Sequence, residues 1–229
     1  MRTLILPGLD GTGRLLGAFA GALPAELGAD VVSYPVDRYL DYASLEALVH
    51  ARVPSDRPYA LIAESFSGPL AIALAAKVPP VALVLVGSFA ASPVGPVMSA
   101  IGRALAGATL AVPTPMFGVR QLLVGPDAPE DVLRAVHEVM HLVPGPILAG
   151  RLRALLQTDM SEALASSRAP LMYLAGSRDR LVWPRVGRAI RALRPDVEHA
   201  TIDAPHLMLA RAPDRAAELI AGFILQNRP

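Results

Sequence analysis

Ser65 is the middle of three residues between an apolar run, Leu61-Ile62-Ala63, and the small-residue stretch Ser67-Gly68-Pro69-Leu70-Ala71. The first stretch reads as a strand and the second as a helix. A serine at so sharp a strand-to-helix turn is pushed out of the backbone and made available for attack. The turn is strained and brings the chain close to itself, so the positions two before and two after the serine must be small. Here they are Ala63 and Ser67, and Gly68 gives further room. The chemistry open to such a serine is nucleophilic attack, given a neighbouring base to take its proton. The plainer role for Ser65 is an N-cap of the following helix. Ser67 is the rival nucleophile, set farther from the strand end.

Three other patterns could carry chemistry. His137-Glu138-Val139-Met140-His141 is a literal H-E-x-x-H, in which two histidines on one helix face can grip zinc beside a glutamate base. Such a site needs a third ligand, for which Glu162 is the candidate. Pro144 stands where the metzincin version needs glycine, and histidines near a helix C-terminus have a plain dipole rationale. Gly8 to Leu15 nearly matches a phosphate-binding loop, but Arg14 and Leu15 replace the lysine and the Mg²⁺-binding hydroxyl that do its work. Arg185, Arg188, Arg191 and Arg194 recur every third residue. They read first as a solvated helix face, and second as a docking face for an acidic carrier protein or an anionic substrate.

The composition bounds the rest. A chain of 229 residues suits one α/β domain, with room for an inserted cap. Hydrophobic residues make up 53% of it, which argues against disorder. A net charge of +1 gives no nucleic-acid footprint. The absence of cysteine excludes disulfides, thiolate metal sites and a cysteine nucleophile. The opening Leu4-Ile5-Leu6 breaks at Pro7-Gly8 and is too short for a signal-peptide core, so the expected location is cytoplasmic. Val78 to Gly102 carries no charge, but Pro79, Pro80, Pro93 and Pro96, with Gly87 and Gly95, would break a spanning helix repeatedly. A buried strand followed by a loop is expected there, and no integral membrane segment.

Strands are expected at Thr3-Leu6, Asp30-Ser33, Tyr59-Ala63, Ala82-Val86, Leu171-Leu174 and Glu198-Ile202. Helices are expected at Leu15-Leu23, Leu45-Arg52 (with Ser44 as N-cap), Ser67-Lys77, Pro184-Leu193 and Asp214-Gln226. This alternation implies a mostly parallel sheet with helices on both faces. Residues 88–167 interrupt it with helix-like stretches near Met98-Leu110, Glu130-Met140 and Ile147-Gln157. The expected organisation is therefore a core of residues 1–87 and 168–229 with a helical cap of residues 88–167 inserted between two strands.

With these pieces in order, the chain resembles the α/β-hydrolase superfamily over nearly its whole length. Four segments carry the resemblance: Pro7-Gly8-Leu9-Asp10-Gly11-Thr12-Gly13 after the first strand, the serine turn, Leu171 to Asp179, and Asp203-Ala204-Pro205-His206-Leu207. The order Ser65, Asp179, His206 is the superfamily's order. Ala63 and Ser67 stand where glycines are usual, and Pro7 where many members have histidine. The chain begins at what looks like the superfamily's third strand, so a shortened sheet is expected. The resemblance implies Ser65 as nucleophile, His206 as its base and Asp179 as the group that fixes the imidazole tautomer. It implies backbone N–H groups of Leu9 and Phe66 as the oxyanion hole. His199, in or beside a strand, is a weaker base candidate, and Asp203 could replace Asp179 only if its loop folded back.

Between Val78 and Val119 only Arg103 is charged. So apolar a cap above a serine suggests a pocket for hydrophobic acyl or alcohol groups. The expected function is a serine carboxylic-ester hydrolase acting through an acyl-enzyme on small to medium hydrophobic esters, with no metal or organic cofactor required. The alternatives are an acyl-thioesterase or acyltransferase with the same triad and, in another class, a non-catalytic ligand-binding protein on the same fold.

Overall fold

In the computed structural model, which describes residues 1–92, 118 and 120–228, six strands form one sheet. They are β1 (Arg2–Leu6), β2 (Ala29–Val31), β3 (Tyr59–Glu64), β4 (Ala82–Val86), β5 (Leu171–Gly176) and β6 (Glu198–Ile202). Their spatial order is β2-β1-β3-β4-β5-β6, and every neighbouring pair is parallel. The strands expected from the sequence are all present, shifted at their ends by no more than two residues. Two central strands, β3 and β4, are buried along their whole length. That is why their sequences are continuous apolar runs rather than alternating ones.

The register sorts these runs onto two faces. Ile5, Ile62, Val84 and Met172 lie side by side across four strands, and Leu4, Leu61, Leu83 and Leu171 form the next row. The two rows belong to different hydrophobic clusters, as the twofold period of a strand requires. The Ile62 face is covered by Phe19 of α1 (Gly17–Ala22), by Met208 and Leu209 of α8 (Met208–Arg211) and by Ile220, Phe223 and Ile224 of α9 (Pro213–Gln226). The Leu61 face is covered by α2 (Tyr42–His50), α3 (Gly68–Lys77) and α7 (Pro184–Leu193), through residues such as Leu45, Leu70 and Ile190. Fully burying one such Leu or Ile contributes roughly 1.5–3 kcal/mol.

The chain leaves β1 toward α1 on one face and leaves β3 toward α3 on the other. Between these two strands the winding reverses, the place where open α/β sheets bind ligands beyond their strands' C-terminal ends. Between β4 and β5 lie α4 (Glu130–Leu142), α5 (Gly145–Gln157) and α6 (Ser161–Ser166). The stretch from Ala90 to Ser92 pairs with residues 158–160 through Ser92 N–H to Thr158 O and Met160 N–H to Ala90 O, so this segment enters and leaves at one place. The helix expected at Met98-Leu110 lies outside the described residues. None of the described helices is long and apolar enough to cross a membrane.

Two expectations are corrected. The N-cap of α2 is Asp41, not Ser44: the helix begins at Tyr42, and Asp41 Oδ1 accepts the Ser44 N–H at 2.8 Å. Arg194 does not share a solvated face with Arg185, Arg188 and Arg191. It follows the last turn of α7, is 6% exposed, and donates to Ser167 O, Ala169 O and Asp196.

Candidate active site

Ser65 follows directly on β3 and is the single described non-glycine residue with positive φ, 48°. That conformation costs an L-residue roughly 1–2 kcal/mol, so the surroundings must impose it. Ser88 Oγ donates to Ser65 O at 2.6 Å. Tyr42 OH donates to Phe66 O at 2.8 Å while its ring stacks on Phe66 with centroids 4.8 Å apart. Ser67 Oγ donates to Pro7 O and therefore accepts from Tyr34 OH, 2.6 Å away. Burial raises the Tyr34 pKa, keeping its phenol a donor. Ser67 is fully buried with its hydroxyl committed to these two partners, which leaves it unsuited to attack. A Cβ on Gly68 would fall 1.8 Å from Ser88 Oγ, so only glycine leaves the elbow its third support.

Asp179 and His206 come from the ends of β5 and β6. The turn after β5 is held by Ser177 N–H to Ile202 O and Arg178 N–H to Ala204 O. A Cβ on Gly176 would meet Ala204 O at 2.5 Å, so this glycine lets the acid turn and the histidine loop touch. The Asp179 carboxylate takes three N–H donors: Leu181 and Val182 amides on Oδ1, at 2.8 and 2.9 Å, and His206 Nδ1 on Oδ2 at 2.8 Å. An ionised carboxylate can only accept, so Nδ1 carries the ring proton and the Nε2 lone pair is free. Nε2 lies 2.9 Å from Ser65 Oγ. Both His206 and the Asp179 side chain are almost fully buried. Gly87, at the end of β4, lies against the pair: its Cβ would come 3.5 Å from both Asp179 Oδ2 and His206 Cε1.

The loop after β1 closes on the elbow. A Cβ on Gly8 would lie 4.0 Å from Ser65 Cβ and 3.5 Å from Glu64 Oε2. The Leu9 and Phe66 amides thus belong to the two segments that meet here. Glu64, the residue before Ser65, is 3% exposed. Burial, with the Asp10 charge adding to it, pushes its pKa up to about 8 against the opposing pull of the Gly8 N–H. Arg151 of α5 is 1% exposed and donates to Leu9 O at 3.0 Å, to Asp10 O and to Pro35 O.

The remaining candidates fall elsewhere. Asp203 is on the outer side of the acid turn, accepting from Ser177 Oγ and Arg178 Nε, and so braces the loop. His199 packs beside Tyr173 with ring centroids 5.3 Å apart and would be met by a Cβ on Gly187 of α7; burial, then Arg191, lowers its pKa. The His137 and His141 rings lie 4.1 Å apart, tilted by 40°, and the His141 Nδ1 bonds to the His137 carbonyl. Among the described residues no group of three or more His, Asp or Glu could hold a metal ion, so Glu162 does not complete a site with this pair. Sequence reading missed Glu64, Arg151, Tyr34, Tyr42, Ser88 and Gly87. Gly87-Ser88 directly after a buried strand was the one local signal among them.

No protein-family model matches the chain. Over 102 residues, 42% of this chain, it is 34% identical to a pimeloyl-[acyl-carrier protein] methyl ester esterase from Methylococcus capsulatus, and the match spans 40% of that protein's length. A hydrolase from Pseudomonas aeruginosa has a similar structure, with a TM-score of 0.80 at 21% identity, covering 97% of this chain and 89% of that one. A thermophilic esterase from Thermogutta terrifontis gives a TM-score of 0.84 at 18% identity, covering 100% and 91%. At such identities the likeness shows architecture alone: the chain has the α/β-hydrolase fold, a parallel sheet flanked by helices.

Proposed function

We propose that the protein is a serine carboxylic-ester hydrolase. One observation carries this reading: an unbroken hydrogen-bonded path runs from Asp179 Oδ2 through both nitrogens of His206 to Ser65 Oγ, with steps of 2.8 and 2.9 Å. Ser65 Oγ attacks the ester carbonyl carbon as His206 Nε2 takes its proton. The Leu9 and Phe66 amides receive the charge that develops on the carbonyl oxygen. The intermediate collapses with loss of the alcohol, which leaves with the proton from His206, and Ser65 is acylated. Water then attacks with His206 again as base, releasing the acid and restoring the serine. Asp179 stabilises the transient imidazolium without itself becoming protonated.

Residues 88–167 are read as a cap over a core of residues 1–87 and 168–229, and the near-absence of charge from Val78 to Val119 supports hydrophobic esters of small to medium size. The name of the Methylococcus relative supports a methyl ester as one such substrate. That name also supports a carrier-bound acyl chain, for which Arg185, Arg188 and Arg191, all exposed on α7, offer an acidic carrier protein a basic face. A fluorophosphonate probe is expected to label the wild type and not Ser65→Ala; equal labelling would remove the nucleophile. Parallel rates on oxygen esters and thioesters of graded length are expected to favour oxygen esters. A preference for thioesters, or transfer to added alcohols exceeding hydrolysis, would move the assignment to a thioesterase or acyltransferase. No turnover and no labelling would leave a ligand-binding protein.

A further inference from the structure

Arg151 is the one described charged side chain that reaches the loop after β1 from the segment between β4 and β5. It does so from α5, 142 positions along the chain from Leu9. Its Nη1 donates to two successive carbonyls, Leu9 O and Asp10 O, and Nη2 to Pro35 O. A planar fork serves three carbonyls at once, which the single ammonium of lysine cannot reproduce. Gly11 leaves the room, since a Cβ there would lie 2.5 Å from Nη1. The guanidinium also sits over the Tyr34 ring, 5.8 Å from its centroid, and Tyr34 in turn holds Ser67 of the elbow.

On the esterase reading given above, we propose that Arg151 is a positioning residue that sets the Leu9 amide for the oxyanion and so couples the segment between β4 and β5 to catalysis. The loop is tied at consecutive backbone groups. Ser67 holds Pro7 O, the Gly11 N–H holds Gly8 O at 3.1 Å, and Arg151 holds Leu9 O and Asp10 O. The Leu9 N–H lies between the second and third of these ties. With Gly8 O and Leu9 O both held, the peptide that carries it is restrained on both sides. An oxyanion donor acts only where it is pre-aimed, and losing one lowers kcat by roughly 10²–10³-fold.

Stability alone is a poor account of this arginine. Its Nε is buried without a hydrogen-bond partner among the described residues. Burial lowers its pKa, with Asp10 and Tyr34 pulling the other way.

The test uses the full chain and the variants Arg151→Met and Arg151→Lys. It reads kcat and KM on p-nitrophenyl butyrate, thermal unfolding, and Ki for an alkyl trifluoromethyl ketone, whose serine adduct carries an oxyanion. Arg151→Met is expected to lower kcat by about 30- to 300-fold with KM within about threefold. The ketone Ki should weaken by the same factor as kcat/KM, and Arg151→Lys should fall between. A folded Arg151→Met with kcat near wild type overturns the inference. So does a loss of kcat that leaves ketone affinity unchanged. If Arg151→Met does not fold, the same proportionality is read on Arg151→Lys. Failure of the wild type to turn over or to be labelled at Ser65 would instead sink the esterase reading and this inference with it.

Discussion

The Ser88 hydroxyl donates to the Ser65 carbonyl at 2.6 Å through space that Gly68 leaves empty. Ser88 follows the end of β4, so the neighbouring strand holds the elbow in its left-handed conformation. Gly68→Ala would place a Cβ 1.8 Å from Ser88 Oγ and 2.8 Å from its Cβ. It must break the bond and shift the backbone, for an expected loss of about 3 kcal/mol or more. Ser88→Gly in the Gly68→Ala background should recover part of that loss in urea unfolding. No recovery would show that the close approach is not the cause.

Asp179→Asn is expected to lower kcat by roughly four orders of magnitude. An asparagine can keep the Leu181 and Val182 amides on its oxygen, which turns its NH₂ toward His206 Nδ1. Nδ1 must then accept, Nε2 carries the proton, and Ser65 faces a donor in place of a base. Steady-state rates on a p-nitrophenyl ester measure the loss, and ¹⁵N shifts of the imidazole report the tautomer. A rate within tenfold of wild type, with the tautomer unchanged, would contradict this ordering of protons.

Much of the scaffold was legible because it depends on local pattern. β3 and β4 announce themselves as unbroken apolar runs, and Pro184 marks the first turn of α7. The small residues around Ser65 are legible for the same reason, since a sharp turn constrains its immediate neighbours. What could not be read were contacts between distant parts of the chain. Arg151 looks like one of two charges in a mostly apolar helix until α5 is laid against Leu9. Tyr34 and Tyr42 look like loop and helix aromatics until they meet Ser67 and Phe66. The misplaced cap of α2 has a local cause: Asp41 and Ser44 are both good capping residues, and only the helix start at Tyr42 decides between them. Arg194 kept the spacing of its neighbours but lies beyond the helix, where the chain turns it inward to the Ser167 and Ala169 carbonyls.

The H-E-x-x-H segment tests how far a motif carries without its setting. The His141 ring is bonded back to its own helix, to the His137 carbonyl at 2.8 Å. Dialysis against a strong chelator is expected to leave ester turnover unchanged, and His137→Ala to stay within about threefold of wild type. Complete loss that added zinc restores would overturn this and revive the metal reading.

Glu64 gives stability an unusual dependence on pH. Burial comes first among the causes, then the Asp10 carboxylate; together they hold its pKa near 8 against an ordinary value of 4.5, with the Gly8 N–H pulling the other way. Between these two values the unfolded chain has released a proton that the folded protein keeps. The native state therefore binds more protons, and stability falls as pH rises through that window, by at most about 1.4 kcal/mol per pH unit. Below it both states are protonated, and above it both are ionised, so the curve flattens at each end. Asp41 and Asp127, whose pKa values are lowered, act in the opposite sense and at lower pH. His199, lowered by burial, favours folding as pH rises through its range, and it contributes equally to wild type and to Glu64→Gln. The difference in unfolding free energy between those two proteins isolates residue 64. That difference should shift steadily in favour of the glutamine variant from pH 5 to pH 8, by a few kcal/mol in total. A shift in favour of the wild type would mean that the carboxylate is stabilised in its ionised form, with the Gly8 amide outweighing burial.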